Sequence, residues 1–284
     1  MNIVVCLKQV PDVRMITYDL NTDSLQNVSY VLNSRDIVAM EEAVRMKERQ
    51  SGVSVSAVTV GPPDADALLR ICLGMGADEA IRIWDPVFKE FDAYATSTVL
   101  CRFIRQLKHD LILCGSKSDD EESSFVGARI GEQLRMPFVS RVVKLEIPPG
   151  KCSVVVERRL ERGDREIVEC PTPAVLAVEK GLNEPRYVSL GKQRSALKIE
   201  IVTVDASKLA LKPQDMKPMT KRLAFSQSKP RLKKGFIIDS SLPASERVAL
   251  ILSGGVRKTE RIVEKRPPDL ARELVDFLVK NRIV

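Results

Sequence analysis

The sequence predicts an α/β protein built on a doubly wound, mostly parallel sheet, with an antiparallel addition and a C-terminal arm. Near-continuous apolar segments rich in Val and Ile lie at residues 3–7, 53–60 and 110–114, as is typical of strands buried on both faces of a parallel sheet. Helical patterns separate these segments. Strands and helices that alternate at such lengths favour a sheet with helices on both faces.

Apolar residues at helical spacing predict the helices between these strands. The pattern is clearest where Ile37, Met40 and Val44 share one helical face. A short strand, "EAIRI", is predicted at residues 79–83. The predicted helices cover residues 36–49, 64–76 and 91–108.

Beyond residue 138 the pattern changes to short strand-like segments separated by "PPG", "RGD" and "PTP". These turns indicate an antiparallel addition to the sheet. Residues 181–197 have no sustained period and are predicted to form a long loop, followed by one last strand at 198–204. The strand-like segments of the addition are residues 138–147, 151–160, 165–170 and 174–179.

The last third of the chain differs in charge and in pattern from the rest. Residues 201–284 hold 18 of the 45 basic and 9 of the 38 acidic residues, a balance of +9, whereas the first 200 residues have a balance of −2. Residues 205–235 mix proline, lysine and serine, as a linker or arm does. Residues 236–284 are predicted to be an extension that ends in an amphipathic helix. The apolar face of that helix contains Leu270, Leu274, Phe277 and Leu278.

Composition excludes several classes of protein. No apolar run approaches the ~20 residues that a membrane span requires, and the N-terminus lacks the features of a signal peptide, so we expect a cytoplasmic protein. The basic arm lacks interleaved aromatic residues, so a nucleic-acid partner is not expected. The six cysteines are widely spaced, which favours reduced thiols over a metal site or disulfides.

Three segments follow parallel strands and should meet at the sheet edge where open α/β sheets bind ligands: residues 6–10, 60–63 and 115–127. None carries a Ser–His–Asp set, a thiol beside a base, or a glycine-rich phosphate motif. Side-chain catalysis is therefore not expected, and binding of a nucleotide by main-chain groups is favoured.

The segment "GSKSDDEESSFVG" (115–127) raises a conflict, because its four carboxylates at 119–122 should repel a phosphate. One carboxylate at ~4 Å costs ~1 kcal/mol even in water, which cancels the ~0.3–1 kcal/mol that a helix N-terminus contributes. We therefore expect the loop to hold its acids outward, while main-chain N–H groups, Ser123 and Ser124 face the phosphate.

Several motifs together resemble the electron transfer flavoprotein β subunit over about residues 1–204. The family fold is a Rossmann-like sheet similar to that of the adenine nucleotide alpha hydrolases. The distinctive motif is "LNEPRY" (182–187). The others, in the same order as in the family, are "VCLKQVPD" (5–12), "VLNSRDIVAMEEAVRMKE" (31–48), "VTVGPPDADALLRICLGMGADEAIRI" (58–83) and "DLILCGSKSDDEESSFVG" (110–127).

The resemblance implies a nucleotide in this chain: AMP in ordinary members and FAD in bifurcating ones. Glu121 stands where bifurcating members tend to have glycine, which favours structural AMP over a second FAD. Ser116, Lys117, Asp119 and Phe125 depart from the family loop. The residues that the resemblance assigns to the nucleotide are Cys6, Asn33, Ser34, Arg35, Asp36, Val60, Gly61, Gly115, Ser116, Lys117, Ser118, Asp120, Glu122, Ser123, Ser124, Phe125 and Val126.

The resemblance also implies partners. An α subunit would hold most of a redox-active FAD, and the heterodimer would pass electrons from an acyl-CoA type flavoprotein dehydrogenase to a quinone-linked oxidoreductase. Leu190 matches the leucine that anchors the family on dehydrogenases, with Tyr187 beside it. The alternative is a stand-alone ATP-binding homodimer of the universal-stress-protein type.

Overall fold

The computed structural model describes residues 1–19, 24–26, 28–148, 150, 152–211, 241–252 and 267–280. The chain divides into two compact units, Met1–Ser228 and Lys229–Val284. The first unit contains the α/β sheet and is described first. The predicted boundaries at 204/205 and 235/236 stay predictions.

Nine strands form one sheet, and four short strands form two small antiparallel pairs. The nine are β1 (Asn2–Leu7), β6 (Ser54–Val60), β7 (Glu79–Ile83), β8 (Leu111–Gly115), β9 (Phe138–Glu146), β10 (Ser153–Arg159), β11 (Arg165–Pro171), β12 (Ala174–Val178) and β13 (Val202–Val204). The pairs are β2 (Gln9–Pro11) with β5 (Tyr30–Leu32) and β3 (Thr17–Asp19) with β4 (Ser24–Gln26).

The sheet order is β11-β10-β9-β12-β8-β1-β6-β7-β13, with β8 as the middle strand and β1 beside it. Strand β1 pairs in parallel with both neighbours, so that Val5 lies opposite Ala57 on β6 and Leu113 on β8. All three residues are fully buried, as expected for strands of a parallel sheet whose two faces are both covered. The predicted parallel core is therefore confirmed.

Helices cover both faces of the sheet, which confirms the doubly wound arrangement. Helices α1 (Ser34–Arg49) and α2 (Asp66–Met75) pack with one face of β1. Helices α3 (Ala93–Ile104) and α4 (Val126–Leu134) pack with the other. Alternate residues of β1 separate the two cores, with Ile3 and Val5 in the first and Val4 and Cys6 in the second.

The antiparallel addition is smaller than predicted. Strands β9, β10 and β11 are antiparallel neighbours, but β12 lies between β8 and β9 and is parallel to both. The prediction of antiparallel pairing for residues 174–179 was therefore wrong. All five residues of β12 are buried, which is the signature of a central parallel strand.

The predicted loop at 181–197 contains a helix, α5 (Leu190–Ala196), and the predicted strand at 198–204 is only the three-residue β13. Helix α5 packs against α2 and buries Ala196. A helix of seven residues leaves too little sequence to display a period, so contact with α2 rather than periodicity defines it.

The second unit contains α6 (Ala244–Leu252) and α7 (Pro267–Lys280). Helix α7 confirms the predicted closing helix as far as Lys280. The segment 236–239 and residues 212–235 of the predicted arm lie outside the described residues. Among the helices that are described, none is long and apolar enough to cross a membrane.

The site is positioned by the point at which the strand order changes direction. From β1 the chain adds β6 and β7 on one side, and then returns to place β8 on the other side. The carboxyl ends of β1 and β8 therefore diverge to leave a crevice, which is where open α/β sheets bind ligands.

The packing of α4 against this crevice can be tested at Gly127. A Cβ there would lie 2.7 Å from Cys114 Sγ and 3.2 Å from Phe138 Cε2. We expect Gly127→Ala to lower the free energy of unfolding by about 1–3 kcal/mol through overpacking, measured by urea denaturation.

Gly191→Ala in α5 is the matched control, because a Cβ there meets no heavy atom within 4 Å. It should leave stability unchanged or raise it by up to about 1 kcal/mol. Wild-type stability in Gly127→Ala would contradict the packing of α4 on β8.

Candidate functional site

A cavity of about 470 Å³ opens at the crevice. It is lined by the carboxyl ends of β1, β6 and β8, by the start of α4 and by the segment after β7. Its volume falls in the range of about 300–1,000 Å³ that is typical of small-molecule sites.

Thirteen of the seventeen residues predicted for the nucleotide line this cavity. They are Cys6, Asn33, Asp36, Val60, Gly61, Gly115, Ser116, Lys117, Ser118, Ser123, Ser124, Phe125 and Val126. Ser34, Arg35, Asp120 and Glu122 do not line it. Tyr187 and Leu190, which were predicted to bind a partner, are also absent from its wall.

Asp36 joins three elements at the base of the crevice. Its side chain is buried, with 4% of the residue exposed. Oδ2 accepts a hydrogen bond of 2.7 Å from the main-chain N–H of Lys8, and Oδ1 accepts one of 2.8 Å from Gly115 N–H. Lys8 directly follows β1, and Gly115 ends β8. One carboxylate therefore fixes the first turn of α1 to the diverging ends of two strands.

The absence of a side chain at residue 115 makes this contact possible. A Cβ on Gly115 would collide with Asp36 Oδ1 and lie 2.8 Å from Arg35 Cβ. Burial raises the pKa of Asp36 to about 7, against the opposing effect of hydrogen bonds from Lys8, Asn33 and Gly115 and of the Lys8 charge.

The N-terminus of α1 is occupied by the chain's own acidic loop. Asn33 precedes α1 but makes no capping bond; its Nδ2 donates to Lys117 O over 3.1 Å, and its Oδ1 accepts from Asp119 N–H over 3.0 Å. Asp119 Oδ2 in turn accepts from Ser34 N–H over 2.9 Å. Asp119 thus satisfies a helix donor that would otherwise attract an external anion.

The other carboxylates of the loop are paired with cations. Asp120 lies 2.9 Å and Glu121 3.2 Å from Lys8 Nζ, and Glu122 lies 2.6 Å from Lys117 Nζ. Only 24% of the Asp120 side chain is exposed, and Asp119 pairs with Arg35 over 3.1 Å.

The expectation that the acids lean away into water was therefore wrong for Asp119 and Asp120. Lys8 and Arg35 are distant in sequence from the acidic loop, so the pattern of the loop itself gave no sign of these pairs. Exposed pairs of this kind stabilise a protein by only about 0–1 kcal/mol, but they reduce the negative field at the cavity.

The N-terminus of α4, by contrast, carries no side-chain cap. Ser124 has a positive φ of 52°, and Phe125 follows in a right-handed conformation with φ −96° and ψ −39°. A left-handed residue followed by a right-handed one turns successive main-chain N–H groups toward the same side. The concavity that results suits anions. Ser124, Phe125 and Val126 all line the cavity, so this is the helix N-terminus that is open to a ligand.

Sequence reasoning missed an aromatic wall. Tyr30, Trp84, Phe88 and Phe91 line the cavity, and the rings of Phe88 and Phe91 lie 5.0 Å apart. Trp84 directly follows β7, at the same edge of the sheet, which was the available signal. The site thus combines an aromatic side with a side of hydroxyl and main-chain donors, a combination that suits a purine nucleotide.

The two cysteines beside the cavity are not activated nucleophiles. The thiols of Cys6 and Cys114 line it, and burial raises the pKa of both, that of Cys114 to about 12, so both thiols are neutral. All six cysteines are free, and five are buried. Within the described part of the chain, no group of three or more His, Cys, Asp or Glu residues could hold a metal ion.

Fold and site together define an α/β protein of the doubly wound class with a cavity at the switch point of its sheet. Comparison with known sequences is more specific: the family model for the electron transfer flavoprotein domain matches residues 25–209. The chain belongs to the electron transfer flavoprotein family, as the motifs predicted, and its relatives are electron transfer subunits.

Three relatives illustrate the match. The electron transfer flavoprotein subunit beta of Thermoanaerobacterium thermosaccharolyticum is 34% identical over 276 residues, covering 93% of this chain and 97% of the relative. The caffeyl-CoA reductase-Etf complex subunit CarD of Acetobacterium woodii is 37% identical over 217 residues, covering 75% and 82%. Protein FixA of Azotobacter vinelandii is 34% identical over 254 residues, covering 84% and 89%.

The burial of Asp36 predicts a specific dependence of stability on pH. Its pKa is about 7 in the folded chain and about 3.9 in an unfolded one. Between about pH 4 and pH 7 the folded chain therefore keeps a proton that the unfolded chain has released. The contribution of this group to stability is greatest at low pH and falls as the pH rises through about 7.

Asp36→Asn cannot titrate and removes this dependence. It also replaces one acceptor by a donor, which costs about 1–3 kcal/mol if a main-chain N–H is left unpaired. Urea midpoints of both proteins from pH 5 to pH 8 should show the advantage of wild type shrinking as the pH rises. A constant difference across this range would mean that Asp36 titrates outside it.

Proposed function

We propose that this chain is the β subunit of an electron transfer flavoprotein and holds AMP in the cavity as a structural ligand. The observation that carries the proposal is the cavity itself, which is lined both by the uncapped N-terminus of α4 and by a group of aromatic side chains. In this proposal the chain performs no side-chain catalysis.

AMP fits the chemistry of the lining. The adenine ring would lie on the aromatic side, near Trp84 and Phe88, and the phosphate would accept from N–H groups at Ser124 to Val126. A ligand present at a hundredfold excess over its Kd adds about 2.7 kcal/mol of stability, which would hold the diverging strand ends together.

A second FAD in place of AMP is the alternative ligand. Glu121 lines the cavity, and a dinucleotide would bring an additional phosphate toward this edge. The carboxylate of Glu121 opposes that added charge in part, because like charges repel even in water while its pairing with Lys8 over 3.2 Å compensates some of its own charge. The lining therefore favours the mononucleotide.

The proposed electron route rests on the resemblance to the family. With an α subunit, the chain would complete the site of a redox-active FAD. The heterodimer would accept electrons from a flavoprotein dehydrogenase of the acyl-CoA class and deliver them to a quinone-linked oxidoreductase, all in the cytoplasm. Leu190 and Tyr187 would contact the dehydrogenase, and both are exposed.

In this organisation residues 1–204 form the nucleotide-binding domain, 205–235 an arm and 236–284 the extension. The +9 balance of residues 201–284 suits an acidic neighbouring subunit.

The ligand assignment is tested by releasing the nucleotides from the purified complex with its α subunit. Acid denaturation followed by chromatography should yield one FAD and one AMP per heterodimer. Two flavins without AMP would contradict the structural AMP. A colourless homodimer that binds ATP would instead support the stress-protein alternative.

The phosphate position is tested by Ser124→Asp, because aspartate tolerates a positive φ and places a carboxylate at the start of α4. Affinity for AMP, measured by calorimetry on nucleotide-stripped complex, should fall at least about fivefold, since a charge at ~4 Å costs ~1 kcal/mol even in water.

Ser54→Asp is the control for this experiment. It adds the same charge at the opposite end of the sheet, at the start of β6, where the side chain is exposed, and should leave the affinity unchanged. Equal affinities in Ser124→Asp and wild type would place the phosphate elsewhere.

A further inference from the structure

Two of the lysines that line the cavity are already bound to carboxylates of the chain. Lys8 Nζ lies 2.9 Å from Asp120 and 3.2 Å from Glu121, and Lys117 Nζ lies 2.6 Å from Glu122. Both amines are therefore paired within the chain before any ligand arrives. A phosphate that needed either lysine would have to displace a carboxylate first.

The bridge formed by Lys8, Asp120 and Glu121 joins the two sides of the crevice. Lys8 directly follows β1, whereas the two acids lie in the loop after β8, 112 and 113 positions further along the chain. The buried carboxylate of Asp36 accepts from the main-chain N–H of Lys8 over 2.7 Å, so the base of the lysine is fixed. The bridge thus ties the acidic loop to the end of β1 beside the cavity.

Asp120 is the fixed part of the bridge on the loop. Only 24% of its side chain is exposed, and its Oδ1 also accepts a hydrogen bond of 2.7 Å from the main-chain N–H of Glu121. Burial alone would raise the pKa of Asp120, but the hydrogen bonds that it accepts and the charge of Lys8 hold that pKa below its usual value. Asp120 is therefore charged at neutral pH, and Lys8 supplies its counter-charge.

Glu121 has a different position in the bridge. Its side chain is 64% exposed, yet the residue lines the cavity, whereas Asp120 does not. Glu121 therefore presents a carboxylate at the wall of the cavity while it shares Lys8 with Asp120. An ion pair this exposed contributes little to the stability of the fold, so Glu121 can be changed without unfolding the chain.

The number of phosphate groups on a ligand decides whether the bridge must break. A single phosphate can be held by the main-chain N–H groups of residues 124–126, which line the cavity at the start of α4, and it leaves the bridge intact. A second phosphate adds negative charge after these donors are already in use. It would draw Lys8 away and leave Asp120 and Glu121 unpaired beside it, where like charges repel even in water.

We propose that Lys8, held by Asp120 and Glu121, makes the cavity selective for nucleoside monophosphates over nucleoside di- and triphosphates. The proposal rests on the nucleotide function proposed above and adds the residues that limit the number of phosphates. Selectivity is a difference between two affinities, and a bridge that must break for one ligand only lowers the affinity for that ligand alone.

Glu121→Gln tests the bridge, because glutamine keeps the size of the side chain and removes its charge. Dissociation constants for AMP and for ADP are measured by calorimetry, without divalent cations, on the nucleotide-stripped complex with the α subunit. The ratio of the ADP constant to the AMP constant should fall at least about fivefold, which is the effect of one repulsion between unit charges at ~4 Å in water.

A second variant tests Lys8 itself. In Lys8→Met combined with Glu121→Gln the amine is absent and Asp120 is unpaired. ADP should therefore lose the gain seen in Glu121→Gln, and the ratio should return to at least its wild-type value. A ratio that stays low would mean that Lys8 takes no part in the selection, and its assignment would be wrong.

Glu146→Gln is the matched control. Glu146 is also paired with a lysine, 2.8 Å from Lys144 Nζ, and its side chain is 62% exposed, but it lies on β9 and does not line the cavity. This variant should leave both constants unchanged. Flavin content is measured for every variant to verify that the complex has assembled.

The results separate this selectivity from the function on which it rests. If wild type binds neither nucleotide, the proposed function fails, and the selectivity fails with it. If wild type binds AMP but binds ADP equally well, or if the ratio is the same in wild type and Glu121→Gln, AMP remains the ligand and the role of the bridge alone is overturned.

Discussion

The carboxylate of Asp36 makes the hydrogen bonds on which the cavity edge of the sheet depends. At the point where β1 and β8 diverge, two main-chain N–H groups lose their partners in the sheet, and the same buried carboxylate accepts from both. Unpaired, each such group would cost about 1–3 kcal/mol. Because Asp36 belongs to the first turn of α1, satisfying these donors also fixes where that helix starts and how it lies over the sheet.

The position of α1 then determines how the two helix N-termini at this edge are used. Asp119 bonds to the start of α1, so the acidic loop turns its charge toward a helix and toward Lys8, Arg35 and Lys117. The start of α4 remains uncapped beside the cavity. An acidic loop and a phosphate can therefore share one edge of the sheet.

The sequence was sufficient for features that depend on local pattern. Apolar runs and helical spacing predicted the parallel core. The ends of the predicted strands indicated the edge of the sheet where thirteen of the proposed nucleotide-binding residues line the cavity. The sequence was insufficient where two residues that contact each other are far apart along the chain. The pairing of Lys8 with Asp120 joins residues 112 positions apart, and Trp84 reaches the cavity only because β7 lies beside β6. Strand β12 and helix α5 were misjudged because segments of five and seven residues are defined by their neighbours rather than by a period.

The most direct test of this account is a crystal structure of the complex of this chain with its α subunit and AMP. The account predicts phosphate oxygens within hydrogen-bond distance of the main-chain nitrogens of Ser124, Phe125 or Val126, with Asp119 still bonded to Ser34. A phosphate at the start of α1 with Asp119 displaced, or a cavity filled by the carboxylates of the loop, would contradict it.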